Sequence, residues 1–168
     1  MSTATSTFTI TRSHTATHLS EAIGGMIAEI LGTLGISART LMNDWEDDYA
    51  PAIRAWIEEG SLKMVIVECR RPSGAVDPIL EFPVEYHADG SGEFSHRHVA
   101  LARSLAKLSK VQTGTIFKII CSYNGYHTPQ DGWSTTSRAS TAGLRSNTLG
   151  SLASGPHASA SVRYLTSR

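Results

Sequence analysis

Two apolar segments, Leu62–Arg70 and residues 79–86, most narrow the folds open to this chain. The first is apolar through Val65, Ile66, Val67 and Cys69, while the second alternates Leu80, Phe82, Val84 and Tyr86 against Glu81, Pro83 and Glu85. Pro72, Ser73 and Gly74 supply turn chemistry between them, so the pair reads as an antiparallel hairpin. Pro83 has no N–H and cannot join a ladder on both sides, which predicts the second strand at a sheet edge and the first in the centre.

Helical periodicity surrounds this hairpin. Leu19, Ile23, Met26, Ile27, Ile30, Leu31 and Leu34 give a long helix over residues 15–35, with Gly35 as its stop. Gly24 and Gly25 sit inside it at a cost of about 1 kcal/mol each relative to Ala, which predicts close packing against a neighbour. Leu41, Met42, Trp45, Tyr49, Ile53, Trp56 and Ile57 form a second stripe, and Pro51 predicts a kink or two consecutive helices. Asp44, Glu46, Asp47 and Asp48 are placed to cap the second of these. Ser95 predicts the cap of a third helix to about residue 109, its face made by Val99, Leu101, Ala102, Leu105 and Leu108. Phe8 and Ile10 alternate with threonines as a short strand after a small, polar start, and residues 115–123 read as a third full strand. A chain of 168 residues with this order is a single α+β domain.

The tail is unusual. Residues 132–168 hold four arginines and no acid among many Ser, Thr, Gly and Ala, a composition that suits disorder. Yet Trp133, Leu144, Leu149, Leu152, Val162, Tyr164 and Leu165 recur through it, as a segment that folds by docking requires. Charge divides the same way: residues 1–93 carry 14 acids against 6 bases, and residues 94–168 carry 9 bases against Asp131 alone. The two halves must partly neutralise each other, and any surface built mainly from the second half is expected to be basic.

Several chemistries find no support. No apolar run approaches the roughly 20 residues of a membrane span, and the N-terminus lacks a secretory pattern, so the expected location is the cytoplasm. Cys69 and Cys121 lie in apolar runs and read as buried reduced thiols. His14 with His18 and His96 with His98 lack a third ligand at metal-binding spacing. No Gly-x-Ser-x-Gly elbow occurs, and no Lys-Ser or Lys-Thr follows Gly90 and Gly92, so neither a hydrolase site nor a nucleotide loop is expected. The residues therefore predict no catalytic group, cofactor or metal. Arg103, Lys107, Lys110, Arg138, Arg145 and Arg163 could contact phosphates, but aromatic interleaving is sparse, which disfavours nucleic acid. A nucleic-acid module and a permanently assembled structural subunit are the alternatives to a peptide-binding role.

With the elements placed, the chain resembles bacterial HORMA-domain proteins of anti-phage CBASS operons, of the peptide-binding, safety-belt subgroup. The residues that carry the likeness are Phe8-Thr9-Ile10-Thr11, Trp45, Ile53, Trp56 and Ile57, the 62–68 and 81–86 strands, Asp89-Gly90-Ser91-Gly92, Gly132-Trp133-Ser134, Arg138, Ser140-Thr141, Ser146, Leu149-Gly150-Ser151 and Tyr164. The resemblance implies a HORMA fold: a central antiparallel sheet packed by three helices, with residues 1–6 a flexible N-terminus, 7–129 a core and 130–168 a safety belt. It implies that the strand at residues 79–86 receives the tail hairpin and that a closure-motif peptide adds to the third strand by β-augmentation. Thr115, Ile116, Phe117, Lys118, Ile119, Ile120, Trp133, Arg138, Arg145 and Leu149 are the implied peptide-binding residues. A basic groove there predicts ligands with an acidic residue, met by Lys118, Arg138 or Arg145. The implied partners are a CD-NTase-family synthase, which the closed form activates, and a pachytene-checkpoint-type AAA+ ATPase that engages Ser2, Thr3, Ala4, Thr5 and Ser6. A second HORMA protein is a further candidate partner.

Overall fold

A computed structural model describes residues 2–88, 90 and 92–167, with side chains from residue 11 onward. The long first helix, α1 (Ser2–Leu34), buries Leu19, Ile23, Met26, Ile27, Ile30, Leu31 and Leu34 along one stripe. Its end is a Schellman motif: Gly35 (φ +84°) donates to Gly32 O at 3.1 Å and Ile36 N to Leu31 O at 2.8 Å. The helix begins at Ser2, so residues 7–11 do not form the expected strand, and residues 2–6 are its first turns. Alternation over so few residues is a weak signal, and a helix fixed by its docked half extends at the cost of one residue per added hydrogen bond.

The second stripe folds as α2 (Arg39–Asp44), one π turn (Trp45–Tyr49) and α3 (Ala50–Glu59), with Pro51 in the first turn of α3 as expected. The acids before Pro51 make no side-chain cap to α3; Glu46 instead pairs with Arg54 at 3.1 Å. The π turn lays the Trp45 ring over α1, where a Cβ on Gly24 would stand 2.5 Å from it. Gly24 is thus required by close packing, whereas a Cβ on Gly25 would meet nothing within 4 Å.

Six antiparallel strands follow: β1 (Leu62–Arg70), β2 (Val76–Tyr86), β3 (Ser95–His96), β4 (Ile116–Tyr123), β5 (Arg145–Ser154) and β6 (Ala158–Thr166). Their order in the sheet is β3-β5-β6-β2-β1-β4. β1 is interior, as expected; β2 does not stay at the edge that Pro83 predicted, because the β5–β6 hairpin of the tail pairs with its other side, as the resemblance implied. Pro83 is accommodated by a gap: the β2–β6 pairs stop at Glu81↔Arg163 and resume at Val84↔Ala160. Ser95 lies in β3 and hydrogen-bonds Ser154, so it caps no helix, and α4 spans only His98–Leu105.

The helices cover one face of the sheet. Val65, Val67, Cys69, Leu80, Phe82, Val84, Leu152, Ala160 and Val162 meet them in the main core. The opposite face carries a smaller cluster of Met64, Ile66, Ile79, Ile120 and Leu165. The two halves of this alternation follow from the period of two along each strand. Both cysteines are free and buried; burial pushes the Cys69 thiol up to about 12 and raises Cys121 as well, which leaves both as inert packing groups. Among the described residues no helix is long and apolar enough to cross a membrane.

Candidate functional site

The site is built around the outer edge of β4. On its inner side β4 pairs with β1 from Leu62↔Tyr123 to Arg70↔Ile116, and no described strand pairs with its outer side. The other end of the sheet is closed by the two-residue β3. A long unpaired edge presents a row of N–H and C=O groups to any extended chain.

Residues 124–144 do not pair with that edge; they cross over it. On the helix side the crossing segment is held by Trp56, whose indole Nε1 donates to Thr128 O at 2.7 Å. Tyr123 stacks on His127 at 3.4 Å, and the Trp133 ring stands edge-on to Trp56 at 5.2 Å and to Tyr49 at 6.1 Å. Thr128 also donates through its backbone and its hydroxyl to Glu59, whose carboxyl is held below the ordinary range chiefly by hydrogen bonds from Ser61 and Thr128.

Past Trp133 the segment turns under the sheet. Thr136 accepts from Lys118 Nζ at 3.0 Å, Arg138 Nη2 reaches Glu81 at 2.7 Å, and the Ala139 N–H donates to Glu68 at 2.5 Å. Leu144 then packs on the smaller cluster, and β5 begins. Glu68 and Glu81 are buried on the non-helical face of β1 and β2, so they would be costly without these partners. Arg163 of β6 takes the other oxygen of Glu81 at 2.5 Å. Burial pushes the Glu81 carboxyl up, but the two guanidiniums outweigh it and hold the group below its ordinary value. One buried acid of the core thereby fixes both the crossing segment and the tail hairpin.

Between the crossing segment and β4 lies a cavity of about 840 Å³, lined by Lys118 and Ile119 of β4, by Asp47, Asp48 and Tyr49 of the π turn, and by residues 131–136. The cavity adjoins the outer edge of β4 at Lys118 and Ile119.

The structure brings Ile116, Phe117, Lys118, Ile119 and Ile120 together on β4, with Thr115 just before it and Trp133 above it. It does not bring Arg145 and Leu149 there. Both lie on β5, and β6, β2 and β1 intervene, a separation of roughly 19 Å at the usual strand spacing. Arg138 sits beneath the sheet on Glu81 rather than at the edge. The expected basic groove is therefore absent from the cavity: its lining contains Asp47, Asp48 and Asp131 against Lys118 alone. Two arginines of the tail, Arg138 and Arg163, pair with Glu81 within the fold instead. Sequence reading missed Glu68, Glu81 and Glu59 as clasps because each looks like a solvent-facing member of its element. Only Glu81 had a signal, and it was indirect: an acid-free tail with arginines has to find its counter-charges in the acidic half.

The family model described as Bacterial HORMA domain 2 matches residues 2–168. Among solved structures, a chain of the Mitotic Checkpoint Complex aligns with a TM-score of 0.72 at 11% identity, over 90% of this chain and 97% of that one. C. elegans HTP-2 bound to the HIM-3 closure motif aligns with a TM-score of 0.67 at 15% identity, over 89% and 88%. The E. coli CdnC:HORMA-deltaN complex aligns with a TM-score of 0.59 at 13% identity, over 93% and 89%. At such identities these likenesses speak for the fold. No curated protein matches the sequence.

Proposed function

We propose, from the premise that this chain belongs to the bacterial HORMA domain 2 family, that it is a peptide-binding signalling adaptor and not an enzyme. An extended closure-motif peptide adds to the outer edge of β4, and residues 130–168 act as the safety belt that holds it. The observation that carries this reading is the pairing asymmetry of the sheet: the tail hairpin fills the edge of β2, while the edge of β4 stands open beneath a segment that crosses it without bonding to its backbone. β-Augmentation needs this combination of a free edge and pockets for alternate side chains.

The peptide-held form then binds and activates a CD-NTase-family synthase in a CBASS anti-phage system. Structures of the same fold in complex with a closure motif and with CdnC support that assignment. A AAA+ ATPase of the pachytene-checkpoint type resets the switch by drawing in Ser2, Thr3, Ala4, Thr5 and Ser6. The Ser and Thr residues there have modest helix propensity, so these first turns of α1 unwind at low cost. The nucleic-acid alternative loses Arg138 and Arg163, which are tied to Glu81.

The test is limited proteolysis and thermal melting of the full chain with and without peptides selected from a random extended library. A bound peptide should raise the melting temperature with concentration and suppress cuts between residues 132 and 156. Equal cutting and equal melting across every selected peptide would leave a permanent structural subunit as the better reading.

A further inference from the structure

The cavity beside β4 has a definite charge. Asp47 and Asp48 project from the π turn on one side and Asp131 from the crossing segment on the other, and no described side chain pairs with any of the three. The one base in the lining, Lys118, is hydrogen-bonded to Thr136. The neighbouring cation, Arg54, is paired with Glu46. The negative field is also felt by Tyr49 in the wall: its phenol is raised first by burial and then by the charges of Asp44 and Asp48.

An acidic guest would place its charge among three exposed, unpaired carboxylates that Lys118 alone offsets, whereas a basic one would complement them. We propose that the guest strand on β4 is a basic peptide, with a Lys or Arg side chain seated among Asp47, Asp48 and Asp131. The proposal rests on the peptide-binding reading above and specifies its ligand, in the sense opposite to the one that the charge of the second half alone predicts. The site itself is the free edge with its cavity; the carboxylates decide which side chain fits there. Tyr49 and Trp133, edge-on to each other at 6.1 Å, supply aromatic surface on which the stem of such a side chain can lie.

Peptides are selected on the full chain from a random-sequence display library, and those recovered are remade with Lys or Arg changed to Gln or Glu. Binding is read by fluorescence anisotropy against the wild type and the Asp47→Asn, Asp48→Asn, Asp131→Asn triple variant, whose melting is checked first. Hydrogen exchange of the β4 amides reports whether the peptide occupies the edge. We expect one basic position common to the selected peptides and roughly tenfold weaker binding in the triple variant, with salt weakening the wild type more than the variant. Peptides that protect β4 yet show no basic preference and bind the variant equally would overturn the charge assignment and leave the adaptor reading standing. Recovery of no peptide that protects β4 would remove both.

Discussion

Arg138 donates to the buried carboxylate of Glu81 at 2.7 Å, a bond that ties the segment crossing the free edge to the centre of the sheet. Because Arg163 binds the second oxygen at 2.5 Å, Glu81 joins three parts of the chain that are remote in sequence. Glu81 is therefore one anchor that the crossing segment and the tail hairpin share.

Glu81→Gln weakens both charge-assisted bonds, and we expect a loss of about 1–3 kcal/mol, kept below the sum of two such bonds because each guanidinium is about a third exposed. Arg138→Ala should cost less, since Arg163 still neutralises the acid. Urea melts together with trypsin mapping of residues 132–156 check this. A Glu81→Gln protein whose tail resists trypsin as well as the wild type would deny Glu81 its clasping role.

Acid should loosen the tail. Glu81 and Asp77 are each pushed up by burial, but the guanidiniums on Glu81, and on Asp77 the hydrogen bonds of Ser167 and Thr166 with the charge of Arg71, carry both below their ordinary values. A depressed folded value means that the unfolded state binds protons first: the stabilisation is complete above the unfolded pKa and disappears as pH falls through the folded one. Melting temperature should accordingly drop on the acid side of the usual carboxylate range, and less steeply in Glu81→Gln. Identical acid limbs for the two proteins would contradict the assignment.

Adjacent glycines of α1 should respond in opposite directions. Gly24→Ala drives a methyl to within 2.5 Å of the Trp45 ring, and we expect a net loss of about 1–2 kcal/mol after the gain in helix propensity. Gly25→Ala meets nothing within 4 Å and should gain up to about 1 kcal/mol. Paired thermal melts decide it, and an equal effect at both sites would mean that the Trp45 contact is not tight.

Trp56→Phe keeps an aromatic ring in the core but removes the donor to Thr128 O, which should cost about 1–2 kcal/mol and release residues 124–133 before the sheet opens. Hydrogen exchange by mass spectrometry should show faster labelling of that segment with β1 unchanged. Uniform acceleration over the whole chain would instead assign Trp56 to the core alone.

The parts legible from sequence are those fixed by local patterning. The stripe from Leu19 to Leu34, the stop at Gly35, the break at Pro51 and the hairpin around Pro72-Ser73-Gly74 each rest on spacing or on a residue whose backbone allows one local outcome. The recurrence of Trp133, Leu144, Leu152, Val162 and Leu165 correctly marks a tail that docks. The strand expected over residues 7–11 and the helix expected from Ser95 failed because short segments take the structure of what they pack beside: the first continues α1, and the second is drawn into a bridge with β5.

What the sequence determined by itself is the succession of two helical stripes, hairpin, third helix and third full strand between residues 15 and 123, and the opposite charge of the two halves. Only the tertiary structure decided how the tail crosses the edge of β4 without pairing to it, and whether the charges meet within the molecule or face a guest. Both are matters of long-range pairing: Glu81 and Arg138 are 57 positions apart, and no local period records that they meet. By contrast Asp47, Asp48 and Asp131 form no ion pair among the described residues, and that leaves the cavity beside β4 acidic on balance although the second half of the chain is basic.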